Sequence, residues 1–98
     1  MANNKFSDKA VKVFKALADP TRYQIVTLVL KRGEMGCMDF DKEFRSTKSA
    51  LSHHYRILEN ADLIIARKEG QHVFVSLNME VLNKYLPGFK KTHLKKIK

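Results

Sequence analysis

"STKSALSHHYRILENADLIIARKEGQHVFVSL", Ser46 to Leu77, holds two hydrophobic periods in succession. The first half repeats as a helix does. Ser46 or Thr47 suits the N-cap, and the pattern runs to about Asn60. Successive helical residues are about 100° apart, so with Leu51 at zero Tyr55 and Leu58 fall within about 40° on either side. Ala50, Ile57 and Ala61 widen that apolar arc, and His54 lies inside it, about 60° from Leu51, so it reads as a partly buried histidine with one nitrogen bonded to backbone or side chain. His53 falls on the far side with Ser49, Ser52, Arg56 and Asn60. The two adjacent histidines therefore point apart and make poor candidates for one shared metal. The second half alternates. It reads as two strands around a turn at "KEGQ", with Gly70 free to take a positive φ and Val73, Val75 and Leu77 on one face.

Upstream, "MDFDKEF" places Phe40 and Phe44 four apart, a short amphipathic helix, and "RSTKS" breaks it. A short helix, a tight turn and a longer helix form a helix-turn-helix signature, and the following hairpin makes it a winged helix. Further back, "ADPTR" punctuates the chain. Asp19 suits an N-cap and Pro20 the first helical position, with Ile25, Leu28 and Val29 at core spacing and an end near Gly33. Ser7 suits the cap of an earlier helix through Ala18, with Ala10, Val13, Phe14, Leu17 and Ala18 on one face. Downstream, Asn78 caps a helix with Leu82, Tyr85 and Leu86 inward, which Pro87-Gly88 ends or bends. Phe89, Leu94 and Ile97 suggest a weaker amphipathic piece. The expected fold is mainly α with a β-hairpin, a winged helix-turn-helix of the α+β class. It forms one domain over residues 1–98 with a basic tail from about residue 88.

The 98 residues are 44% hydrophobic and 30% charged, which suits one small globular domain that gains from a partner subunit. No stretch approaches the roughly 20 apolar residues that span a bilayer. The start, "MANNKFSDKAVK", lacks an apolar signal core, so the expected location is cytoplasmic with no membrane contact. One cysteine builds no intrachain disulfide framework and agrees with a reducing compartment. The net charge of +9 favours polyanions. Six lysines from Lys84 onward face no acid and account for most of it, so the tail alone reads equally as a solvated basic end.

The body of the chain is more informative. The face of Ser49, Ser52, His53 and Arg56 has the donors and acceptors that phosphates and base edges need, and no acid lies between Ser46 and Leu58. The reading is a DNA-binding regulator. The alternative is a winged helix for protein or RNA contact, whose exposed face would carry apolar residues. An enzyme is not expected. There is no glycine-rich phosphate loop, no catalytic carboxylate pair and no nucleophile elbow, and Asp39 and Asp41 suit a helix start.

"ALADPTR" (Ala16–Arg22), "LSHHYRILENADLI" (Leu51–Ile64) and "RKEGQHVFVSL" (Arg67–Leu77) together resemble the ArsR/SmtB family of bacterial winged-helix repressors, in its order and spacing. The resemblance implies a homodimer on double-stranded DNA. The helix-turn-helix reads the major groove, the wing reaches the flanking backbone or minor groove, and the first and last helices form the dimer interface. By position it places Thr47, Lys48, Ser49, Ser52, His53 and Arg56 against DNA, with Arg67, Lys68 and Gln71 at the wing. Two residues depart from the pattern. Arg45 stands where a turn glycine is common, implying a left-handed residue there, and Ser46 stands at a usually apolar position.

Many members sense metals through E-L-C-V-C-D-L. Here the segment is "EMGCMDF", Glu34–Phe40, with Gly36 and Met38 at the cysteine positions and Cys37 between them. A second family site uses Asp, His, His and Glu on the last helix, where this chain has Glu80 and a distant His93. Soft-metal sites need several thiolate or imidazole ligands, so the expectation is no metal and no cofactor. Cys37 reads first as a small half-buried residue, with an intersubunit disulfide or thiol modification as the other readings. Met35 and Met38 read as core filler.

Overall fold

Asp19 starts the second helix and Gly33 stops it. The computed structural model describes residues 5–94. Helix α1 spans Lys5–Leu17. Asp19 is then extended, and its Oδ2 accepts from the backbone N–H groups of Thr21 at 2.9 Å and Arg22 at 3.1 Å. Helix α2, Pro20–Arg32, follows from that cap, and Gly33 closes it at φ 83° with its N–H on the Val29 carbonyl. Strand β1 is Met35–Gly36, α3 is Cys37–Glu43 and α4 is Lys48–Asn60. Thr47 caps α4, its Oγ1 accepting from the Ala50 N–H at 3.0 Å. Strands β2, Ile64–Glu69, and β3, His72–Leu77, form the wing around Gly70 at φ 62°. Helix α5, Met79–Tyr85, is capped by Asn78, and α6 is Phe89–Leu94.

The sheet has three antiparallel strands in the order β1-β3-β2. The third strand escaped the sequence reading because two residues show no period. Met35 pairs with Val75 and Gly36 with Phe74, which makes β3 central and ties the wing to the segment before α3. The core gathers Phe40, Ile25, Leu51, Leu58, Leu63 and Leu82, all fully enclosed, where α1, α2 and α4 meet the sheet. Val26 and Ala16 join them, two inward positions the sequence reading did not single out.

Several expectations need correction. Ser7 lies within α1 rather than capping it, and the helix ends at Leu17, before Ala18. Val13 and Ala16 carry its inward face, whereas Phe14 is 52% exposed and Val11 48%. Arg45 is not left-handed. Phe44 leaves α3 extended at φ −118°, so the four residues between α3 and α4 turn without such a residue. Within the basic tail, the weaker amphipathic piece expected at Phe89 and Leu94 is a helix over Phe89–Leu94, with Phe89 buried and its ring 5.9 Å from that of Tyr23 on α2. Ile97 and the last three lysines lie outside the described residues. Among the described residues, no helix is long and apolar enough to cross a membrane.

The left-handed residue sits instead after α4. Asp62 has φ 61°, the Leu63 N–H reaches the Leu58 carbonyl at 3.0 Å, and the Asp62 N–H reaches that of Glu59 at 2.9 Å. These are the paired bonds of a Schellman motif, which favours glycine where Asp62 stands. Asp62→Gly is therefore expected to raise stability by up to about 1 kcal/mol, or Tm by up to about 4–8 °C, in a thermal melt. A lower Tm would show that the aspartate contributes more than its backbone strain costs.

Candidate nucleic-acid interface

All nine residues assigned to DNA from the sequence are exposed: Thr47, Lys48, Ser49, Ser52, His53, Arg56, Arg67, Lys68 and Gln71. They do not form one surface. Thr47 opens α4 and spends an oxygen lone pair on the cap, leaving its hydroxyl proton outward. Lys48, Ser49, Ser52, His53 and Arg56 follow on the polar side of the helix, while Leu51 and Leu58 are buried behind them. A helix N-terminus with a lysine in its first turn is electropositive twice over, through its free N–H groups and its side chain.

Between α4, α3 and the wing lies an open cleft of about 420 Å³, lined among others by Met38, Lys48, Ser52, Arg56, Ala66 and Val73. Met38 is 62% exposed, so it forms part of this cleft rather than filling the core as Met35 does. No periodicity in the short helix marked it. Gln71, at the wing tip, borders a second cleft with Lys42 and Lys48.

Adjacent strand residues face opposite ways, so Arg67 and Lys68 leave the wing on opposite faces. Lys68 pairs with Val73 and shares the cleft face with Ala66. Arg67 pairs with Phe74 and lies across the outer face, its guanidinium 4.7 Å from that ring's centre. It donates from Nη2 and Nε to the Glu34 carboxylate at 2.9 and 3.2 Å, and approaches Glu69 at 3.5 Å. The Arg67 hydrogen bonds hold the Glu34 carboxyl below its ordinary range. The strap is therefore complete above the ordinary carboxylate range and is lost as pH falls through the lowered value. Glu34 was not singled out in the sequence, because nothing local reveals a partner 33 residues away. We expect Lys68→Ala to weaken selected and random duplex alike and to reduce the slope of log K against log salt by about one. Arg67→Ala and Glu34→Gln should leave that slope nearly unchanged; a loss of one unit in Arg67→Ala would return the arginine to the phosphates.

His54 occupies the other side of α4. It is partly buried, and its Nδ1 lies 3.2 Å from Arg22 Nη1 and 3.9 Å from Asp19 Oδ2. The helical arc implied a partly buried histidine with one nitrogen bonded to backbone or side chain, and the partner is the Arg22 side chain.

Residues 19–66, from the α2 cap through the first half of β2, match the model of the bacterial regulatory proteins of the arsR family. The transcriptional repressor SdpR of Bacillus subtilis is 44% identical over 70 residues, 71% of this chain and 77% of SdpR. The chain belongs to the ArsR family. It is a DNA-binding transcriptional regulator with a winged helix-turn-helix fold. Among solved structures, HlyU from Vibrio cholerae superposes with a TM-score of 0.74 at 32% identity, covering 92% of each chain. The homodimeric winged helix-turn-helix DNA-binding domain Mb0332 from Mycobacterium bovis shares the fold at a TM-score of 0.71 and 22% identity, over 97% of this chain and 94% of that one.

Within the ArsR frame, the α3 segment is distinctive. Gly36 caps α3 with its N–H on Asp39 Oδ2 at 3.2 Å, and a Cβ there would meet the Phe74 ring at 3.5 Å. Cys37 is half-buried beside the Tyr55 hydroxyl. Burial pushes its thiol up and Asp41 adds to this, with the neighbouring Tyr55 hydroxyl opposing them, so the group stays a thiol at neutral pH. Burial likewise pushes the Tyr55 hydroxyl well up. Among the described residues, no three His, Cys, Asp or Glu side chains gather as a metal site would require.

Proposed function

We propose that the protein is a repressor acting in the cytoplasm as a homodimer of single winged-helix domains on two-fold operator DNA. It works by binding alone and catalyses no reaction. Helix α4 of each subunit enters the major groove, and Lys68 of the wing meets flanking phosphate. The observation that carries this reading is the polar face of Lys48, Ser49, Ser52, His53 and Arg56, exposed and without an acid until Glu59 in the last turn, behind which α4 is anchored by Leu51 and Leu58. One such helix covers only a few base pairs, so two copies reading half-sites roughly 34 Å apart give a usable operator. The exposed Val11 and Phe14 of α1 and Leu94 of α6 offer the apolar surface for that pairing. That Mb0332, which shares the fold, is homodimeric supports a dimer. The regulator works without a bound metal, since Gly36 and Met38 replace both thiolates of the family's metal-sensing stretch.

Selection of bound sequences from a random duplex library tests the reading, and a two-fold site is the expected product. His53→Ala should then cost about 1–3 kcal/mol of binding to that site if the ring meets a base edge, with Tm scarcely changed. Full retention of affinity would remove His53 from the interface.

A further inference from the structure

Arg22 holds together three helices. Its Nε donates to the Ala16 carbonyl at 2.7 Å and its Nη2 to that of Lys15 at 3.4 Å, both in the last turn of α1, where the Lys15 carbonyl also accepts from the Ala18 N–H at 3.2 Å. Its own N–H helps cap α2 on Asp19. Its remaining arm, Nη1, reaches His54 on α4 at 3.2 Å. A guanidinium has donors and no acceptor, so His54 Nδ1 accepts and the neutral ring carries its proton on Nε2. The residue before His54 in the chain is His53, and Ser52 and Arg56 lie two positions away on either side, on the polar face.

We propose that Arg22 is a positioning residue for DNA recognition, setting the rotation of α4 through a hydrogen bond that only a neutral His54 accepts. The proposal rests on α4 being the recognition helix. When His54 takes up a proton at Nδ1, that atom becomes a donor and faces a guanidinium. The bond to Arg22 is lost, and Asp19 Oδ2, 3.9 Å from the same nitrogen, becomes the partner. Arg22 keeps the α1 carbonyls, so the fold persists while the tie between α4 and the α1–α2 junction is exchanged. The charged groups facing His54 are Arg22 and Asp19. Lys12 and Lys15 of α1 border the groove that Arg22 lines, and the His53 ring centre is 6.1 Å away on the same helix.

The test compares wild type with His54→Gln, His54→Phe and Arg22→Lys, on the selected operator and on random duplex, from pH 8 to 5.5 at fixed salt. Glutamine keeps an acceptor for Arg22 and does not titrate, and all four chains share His53, His72 and His93. At pH 8, His54→Gln should discriminate operator from random DNA within about twofold of wild type. His54→Phe fills the space without an acceptor and should lose discrimination about tenfold with a similar Tm. Arg22→Lys has one donor head for several acceptors and should lose as much, and the double variant with His54→Phe should lose no more than either alone. On acidification, wild type should lose about tenfold in discrimination relative to His54→Gln. Parallel pH profiles for these two chains, or undiminished discrimination in a folded His54→Phe, overturn the proposal. A wild-type chain that prefers no sequence at any pH overturns the recognition-helix reading, and the proposal with it.

Discussion

Phe14→Glu is expected to yield a folded monomer that has lost operator binding by about a hundredfold or more. Phe14 stands half exposed on α1 beside the similarly exposed Val11, one turn apart on a helix whose inward side is carried by Val13 and Ala16. A glutamate there removes no core contact, and glutamate is a good helix former, so the melt of the isolated subunit should hold. In the proposed dimer the same substitution places two carboxylates in an apolar seam, where burial without partners is costly. A lone subunit keeps one half-site and loses the other's contribution, which in a specific complex of about 11–15 kcal/mol is a large share. Sedimentation and operator titration on the same sample decide the matter. A parent that is monomeric at micromolar concentration, or a Phe14→Glu chain that sediments as a dimer and binds normally, would move the interface off α1.

The second large effect concerns the core. Phe40→Ala should destabilise the chain by about 3–5 kcal/mol, a drop in Tm of about 12–40 °C for a domain of this size. Phe40 is fully enclosed, with ring centres 6.3 Å from Phe44 and 5.6 Å from Tyr55. It joins the short α3 to α4, so its loss leaves a cavity and loosens the packing of α4. Total stabilities of about 5–15 kcal/mol make such a loss a large fraction of the whole. Phe40→Leu, which retains most of the apolar volume, should cost clearly less. Equal losses in the two variants would mean that the site collapses around a smaller side chain and that the aromatic contacts add little.

Helix α4 was legible from its residues because its information is local. Thr47 caps it, Leu51 and Leu58 point inward, and Ser49, Ser52, His53 and Arg56 point outward, all as a period of 3.6 dictates. The histidine pair separated for the same reason, and so did the Asp19-Pro20 start, Gly33 and the turn at Gly70. The chain by itself determined the order of the helices and the hairpin. Through its motifs it determined the resemblance to the family.

Tertiary structure decided what depends on distant partners. Arg67 read as a wing cation beside Lys68, yet Glu34, 33 residues away, and Phe74 across the ladder turn it to the outer face and leave Lys68 on the cleft. His54 read as a half-buried histidine with a single bonded nitrogen, but only packing names Arg22, 32 residues earlier, as its partner. Phe14 read as core because its spacing fits, whereas α1 has more apolar surface than this one subunit covers. Strand β1 is too short to show a period and exists because β3 offers an unpaired edge. The left-handed residue fell at Asp62 rather than Arg45 because closing α4 needs a Schellman turn, while an extended Phe44 already redirects the chain before it. Sequence period fixes which way a side chain leaves its own element. Which group meets it there is set by how the elements pack.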